Sequence, residues 1–209
     1  VQDQPSALRQ LPESTLIAAA LANVHRCGMR PWGLHGLAHW WRVRHNGLLV
    51  ADAMGASRRV VTLFAIFHDS HREDDGYDLA HGPRAAAWLA RVRDGDDSAH
   101  GACARTRDTI RGLAAAEFDA LCTACDLHTS ATHHDDPSVA ACFVADRLDL
   151  SRVGFRPDPR RMPAPPHILG AQVIDDAIAR QRLDLAWNGG SDIERVWGVS
   201  PAESRRPDR

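Results

Sequence analysis

Apolar positions along the chain fall into runs with helical spacing, separated by short segments rich in Gly, Pro, Ser and Asp. The first run predicts a helix over residues 14–27, with Ser14 as N-cap, an apolar body of Leu16, Ile17, Ala20, Leu21 and Val24, and Gly28 as terminator. A second helix begins after Gly36, carries Leu37, Trp40, Trp41, Val43, Leu48, Leu49 and Val50, and ends near Met54 and Gly55. Ser57 caps a third through Val60, Val61, Leu63, Phe64, Ile66 and Phe67, and this apolar stretch runs straight into two polar residues, His68 and Asp69. After a polar turn at 72–78, a fourth helix follows Gly82 and Pro83, because proline is tolerated in a first turn.

Further helices are predicted over 104–113, 115–128, 137–150 and 171–183. No run of strand period competes with them, so the expected fold class is all-α, a helical bundle. Residues 14–199 are read as one domain, with an N-terminal extension at 1–13 and a frayed tail at 200–209. The segment 154–167 holds Pro157, Pro159, Pro163, Pro165 and Pro166 together with Arg156, Arg160 and Arg161. Its plain reading is a surface connector. The other is a stiffened border that brings positive charge to an anionic substrate.

Composition narrows the function classes. Hydrophobic residues are 44% and charged residues 25% of the chain, ordinary for a globular protein, and no stretch nears the ~20 apolar residues of a membrane span. The polar start, Gln2 to Ser6, has no apolar leader core, which gives a soluble, cytoplasmic protein without membrane partners as the expectation. A net charge of -2 offers no general attraction to nucleic acid. Five cysteines form an odd set that fits reduced thiols. The basic residues are all arginine, so no lysine is present for Schiff-base chemistry, and neither a P-loop nor a Gly-x-Ser-x-Gly elbow occurs. Nothing in the sequence sets an oligomeric state. Histidine stands out, with 12 against a single tyrosine, and imidazole is the commonest transition-metal ligand.

Three pieces of text carry the chemistry: His39-Trp-Trp-Arg-Val in the second helix, Phe-Ala-Ile-Phe-His68-Asp69 closing the third, and Val-Ala-Asp146-Arg-Leu-Asp149 in a late one. An imidazole and a carboxylate at the buried end of an apolar helix are costly to desolvate unless something compensates them, and a metal compensates both. In composition and order these elements resemble the signature of the HD superfamily of metal-dependent phosphohydrolases, over residues 34–153. The resemblance implies an HD-type helical bundle whose metal site lies between core helices, with His39, His68, Asp69 and Asp146 as ligands. Such a nitrogen and oxygen shell suits Mn, Fe, Co, Ni or Mg.

His81 resembles the histidine that opens the following helix in binuclear HD enzymes, which implies a second ion on His81 and a later histidine, bridged by Asp69. His128, at a helix end, is the choice over His133 and His134, which sit in a polar loop. With a single metal, His81 and His128 would instead protonate or orient the substrate, so Asp69, His81 and His128 are counted as catalytic candidates in either case. Arg72 is both a catalytic and a substrate-binding candidate; Arg84 and Arg147 are further phosphate donors, as is Arg152, with Arg72 and Arg84 preferred for standing beside presumed ligands. His35, four residues before His39, is either a ligand on the same helix face or a loop residue. Cys122, Cys125 and His128 have a zinc-like spacing but lack a second pair, and read better as core residues.

The function implied is hydrolysis of a phosphomonoester or phosphodiester, in a small nucleotide-like substrate, by metal-activated water. An HD-fold di-iron oxygenase and a non-catalytic ligand-binding module are the alternatives.

Overall fold

In the helix Arg58–Phe67 each side chain from Val60 to Phe67 is buried, all of them apolar except Thr62, which places it at the centre of the molecule. The computed structural model describes residues 13–185 and Trp197; most of the expected extension and the whole of the expected tail at 200–209 lie outside the described residues. Among the described residues there are eight α-helices and no strand: α1 (Glu13–Arg26), α2 (Leu37–Met54), α3 (Arg58–Phe67), α4 (His81–Asp94), α5 (Ala104–Arg111), α6 (Ala115–Leu127), α7 (Pro137–Arg147) and α8 (Ala171–Leu185).

Helix α3 packs against α2, α6 and α7, with α1 beside it; α4 lies along α6, α5 joins α4 to α1, and α8 covers α2. Close approach is needed where α2 crosses α3 and α7. A Cβ on Gly47 would stand 2.4 Å from Val61 Cγ1 and 3.0 Å from Ala145 Cβ, so only glycine lets these three helices meet. Trp40 fills the core without exposure, in agreement with a packing role. Trp197 is buried and donates its indole N–H to Leu37 O (3.1 Å), pinning the start of α2.

Several ends follow from local chemistry. Ser57 Oγ accepts from Val60 N at 3.3 Å, and Asp136 Oδ1 accepts from Ser138 N and Val139 N at 2.8 and 3.1 Å, with Pro137 in the first turn of α7. Three expected boundaries are corrected. Helix α4 starts at His81, ahead of Gly82 and Pro83, because proline in the first turn forfeits only an N–H that has no intrahelical acceptor. Helix α7 stops at Arg147, not at 150, and the chain continues into a 3-10 turn, Leu150–Val153, closed by Gly154 at φ 88°. Helix α5 likewise ends at Arg111, two residues before the expected 113.

The helix directions set the place of the chemistry. His39 lies in the first turn of α2, His68 and Asp69 follow α3, His81 opens α4, His128 caps α6 and Asp146 is in the last turn of α7. The polar residues that interrupt five apolar helices therefore meet at one end of the bundle.

Candidate metal centre

Asp69 is the hub. Its Oδ2 lies 3.3 Å from His39 Nε2 and 3.4 Å from His68 Nε2, while its Oδ1 lies 3.0 Å from His81 Nε2 and 3.9 Å from His128 Nε2. Asp146 Oδ1 joins the first side, 3.4 Å from His39 Nε2. His39, His68 and Asp146 form one group able to hold a metal ion, and His68, Asp69 and His128 form another. The two imidazole pairs face each other through Nε2, at 3.1 Å for His39 and His68 and at 2.9 Å for His81 and His128.

The other nitrogen of each ring decides what those Nε2 atoms are. His39 Nδ1 donates to Asp149 Oδ2 (2.7 Å), His68 Nδ1 to Phe64 O (3.0 Å), His128 Nδ1 to Cys125 O (2.7 Å), and His81 Nδ1 to Asp78 O. Carboxylates and carbonyls only accept, so all four Nδ1 atoms carry a proton and the four rings turn Nε2 inward, the atom that offers a lone pair to a metal. Two of the carbonyls come from the last turns of α3 and α6, so the helix ends themselves set the tautomers. Position is set as tightly at Gly82, where a Cβ would come within 2.2 Å of Cys125 O and 3.2 Å of His128 Cε1. A side chain there would separate the start of α4 from the end of α6, and His81 from His128.

Electrostatics agree with a cation-binding role. Burial alone would raise Asp69, but the charge of His68 beside it and the close approach of the His39 and His81 imidazoles hold its carboxyl well below the usual range. Asp146 is likewise held low, its burial outweighed by Arg152, His39 and His68. Burial would depress His68, but the charge of Asp69 lifts it above its ordinary value, whereas burial and then the charge of His68 push His128 down to about 3. Asp69 Oδ2 and Asp146 Oδ1 are buried without a hydrogen-bond partner. Two ionised carboxylates with orphaned oxygens, faced by four inward Nε2 atoms, are expensive to bury, by several kcal/mol for each charge, unless a cation sits among them. The residues fit a divalent metal.

Of the remaining candidates, Arg72 is drawn into the centre: Nη1 lies 3.3 Å from Asp69 Oδ1 and 3.2 Å from His81 Nε2, while Nε and Nη2 donate to Asp74 O and Gly76 O. Arg84 is not beside the cleft. It pairs with Asp78 (2.5 Å) and donates to His71 O (3.0 Å), as a support for the 72–80 loop. Arg147 lines the cleft but donates to the carbonyls of Ala131, Thr132 and Arg161. His35 joins neither ligand group: its Nδ1 donates to Asp75 Oδ1 at 3.1 Å. His133 pairs with exposed Asp135, and His134 accepts from Asp136 N, both away from the centre. Neither ligand group contains a cysteine; Cys125 is a buried core residue.

An open cleft of about 810 Å3 reaches the centre, lined at its inner end by Asp69, His128 and Asp146. Phe155, Arg156, Asp158, Arg161 and Met162 form part of its wall, so the proline-rich segment borders the cleft. Three residues have no role, or a lesser one, in the sequence reading. Asp149, fully buried, holds both His39 and Arg42. Arg42 closes that contact from the same helix as His39. Arg152, with a side chain 8% exposed, stands 3.7 Å from Asp146 Oδ1, and its buried Nε has no hydrogen-bond partner. The spacing of Asp149, three after Asp146, and of Arg152, three later again, is the only sequence trace of this arrangement.

Compared with protein-family models, with curated proteins and with solved structures, the chain finds no match in any of the three. No helix among the described residues is long and apolar enough to cross a membrane.

Proposed function

We propose that the protein is a metal-dependent phosphohydrolase of HD type, acting on a small phosphorylated substrate with a binuclear centre. The observation that carries this reading is the division of Asp69, one oxygen toward His39 and His68 and the other toward His81 and His128, with Asp146 completing the first side. His39, His68, Asp69 and Asp146 would hold one divalent ion, and Asp69, His81 and His128 a second. Bound there, such ions supply Lewis acidity and a water of lowered pKa, the chemistry suited to attack on phosphorus.

The chain's own residues supply orientation and proton handling. Arg152, beside Asp146 and lining the cleft, is the donor for a phosphoryl oxygen there, a role better supported by position than that of Arg84. Arg72 braces Asp69 and closes the loop over His81. His35 lines the cleft with Nδ1 committed to Asp75, which leaves Nε2 as the atom that takes a proton from water or returns one to the leaving oxygen. Burial is the main cause that pushes its pKa down to about 4, so the ring is neutral and able to accept.

The test is metal analysis of protein purified without chelator, then assay of phosphate or nucleotide release from nucleotides and cyclic dinucleotides with added Mn, Co, Ni or Mg. About two ions per chain and metal-dependent release are expected. Iron with oxygen consumption, and no phosphoester cleavage, would replace this reading by the oxygenase.

A further inference from the structure

We infer that the substrate is anionic at both ends: a reacting phosphoryl group at the inner end of the cleft and a second anionic group held by Arg161 at the outer end, joined by an apolar body. This rests on the phosphohydrolase reading and narrows its substrate class.

The cleft is far larger than a phosphoryl group requires, at about 810 Å3, and lies within the range of sites that enclose whole small molecules. Its arginines differ in commitment. Arg147 is spent on backbone carbonyls, Arg72 on two carbonyls and Asp69, and Arg156 on Asp175 at 2.7 Å. Arg161 alone among the cleft arginines makes no side-chain hydrogen bond or ion pair among the described residues; its neighbour Arg160 takes Asp158, at 2.9 Å.

Arg161 is also presented by a built turn. Asp158 Oδ1 accepts from Arg160 N (3.0 Å), Pro159 fixes the backbone, Arg147 Nη1 holds Arg161 O (3.3 Å), and Met162 is buried next to it. A guanidinium on a pinned turn loses less entropy on binding an anion than one on a free loop. Leu150, Val153, Phe155 and Met162 give the wall of the same cleft an apolar part, and Phe155 is 68% exposed. An exposed aromatic in a cleft that is also lined by two guanidiniums matches a flat or aliphatic body bearing two anionic groups.

Three non-hydrolysable probes separate the possibilities by calorimetry on the metal-loaded protein: pentylphosphonate, pentane-1,5-bisphosphonate and 6-phosphonohexanoate. The second anion, phosphonate or carboxylate, is expected to tighten binding about tenfold or more over pentylphosphonate. Arg161→Gln is expected to erase that preference and leave the affinity for pentylphosphonate and the metal content unchanged. Equal binding of all three by the wild-type protein, or a preference that survives Arg161→Gln, overturns the inference and leaves the phosphohydrolase reading standing. Failure of pentylphosphonate itself to bind overturns both.

Discussion

Asp149 Oδ2 lies 2.7 Å from His39 Nδ1, and the same carboxylate receives Arg42 Nε at 2.6 Å and Nη2 at 3.0 Å. Asp149 therefore fixes the tautomer and the orientation of a candidate ligand from behind, while Arg42 keeps the carboxylate charged and in place. Burial would raise the Asp149 pKa, but the hydrogen bond and charge of His39, with Arg42, hold it below its ordinary value. Asp149→Asn is expected to keep the helical fold and to weaken metal binding about 10- to 100-fold, because the amide offers His39 Nδ1 a weaker acceptor. Competition against a chelator of known affinity measures this; metal affinity equal to wild type would remove Asp149 from the site.

The split of Asp69 makes a prediction about ion number. His81→Ala or His128→Ala is expected to lower occupancy from about two ions per chain to about one, since His39, His68 and Asp146 stay in place. Asp69→Ala is expected to lose metal on both sides and abolish hydrolysis. Thermal stability gives an independent reading: metal at 100 times its Kd stabilises a folded protein by about 2.7 kcal/mol, and Asp69→Ala should remove most of that gain. Equal melting temperatures for the wild-type protein with metal and with chelator would argue against any ion here.

Much of this centre was legible because its causes are local. Helical period and caps such as Ser57 and Asp136 act over a few residues, and His68 and Asp69 announce themselves by interrupting an apolar helix. The candidate substrate arginines were less legible. Arg84 follows His81 by three residues, yet its guanidinium turns to Asp78 and His71 O, because the 72–80 loop folds back over that face of α4. Arg152 reaches Asp146 because the chain reverses through the Leu150–Val153 turn, a reversal that apolar periodicity does not encode. The pairing of His35 with Asp75, 40 residues away, is invisible in the sequence for the same reason.

Gly82 tests whether backbone approach sets the second half of the site. A Cβ at this position would lie 2.2 Å from Cys125 O, a backbone atom that cannot swing aside as a side chain would. Gly82→Ala is expected to cost about 1–3 kcal/mol, as overpacking typically does, and to lower affinity for the second ion while the first is retained. Loss of stability with both ions bound at wild-type affinity would show that α4 shifts as a unit and carries His81 with it.

His71 provides a pH test that leaves both ligand groups intact. Its ring is 1% exposed, Nδ1 meets Ser70 Oγ at 2.9 Å, and Nε2 is buried without a partner. Burial, followed by the positive charges of Arg26, Arg91 and Arg84, pushes its pKa down to about 3 from an ordinary value of 6.5. The folded ring thus refuses a proton that the unfolded chain accepts between those two values. Stability from this residue is complete above pH 6.5 and is lost as pH falls toward about 3, since the unfolded state binds more protons throughout that window. For one such group the loss between pH 7 and pH 5 is about 2 kcal/mol. His71→Gln keeps a side-chain donor for Ser70 Oγ and removes the titration. Urea unfolding at the two pH values should show a smaller drop in the variant, whatever its stability at pH 7. A drop as large as in wild type would mean that His71 gains a proton in the folded protein and is not the source of the pH dependence.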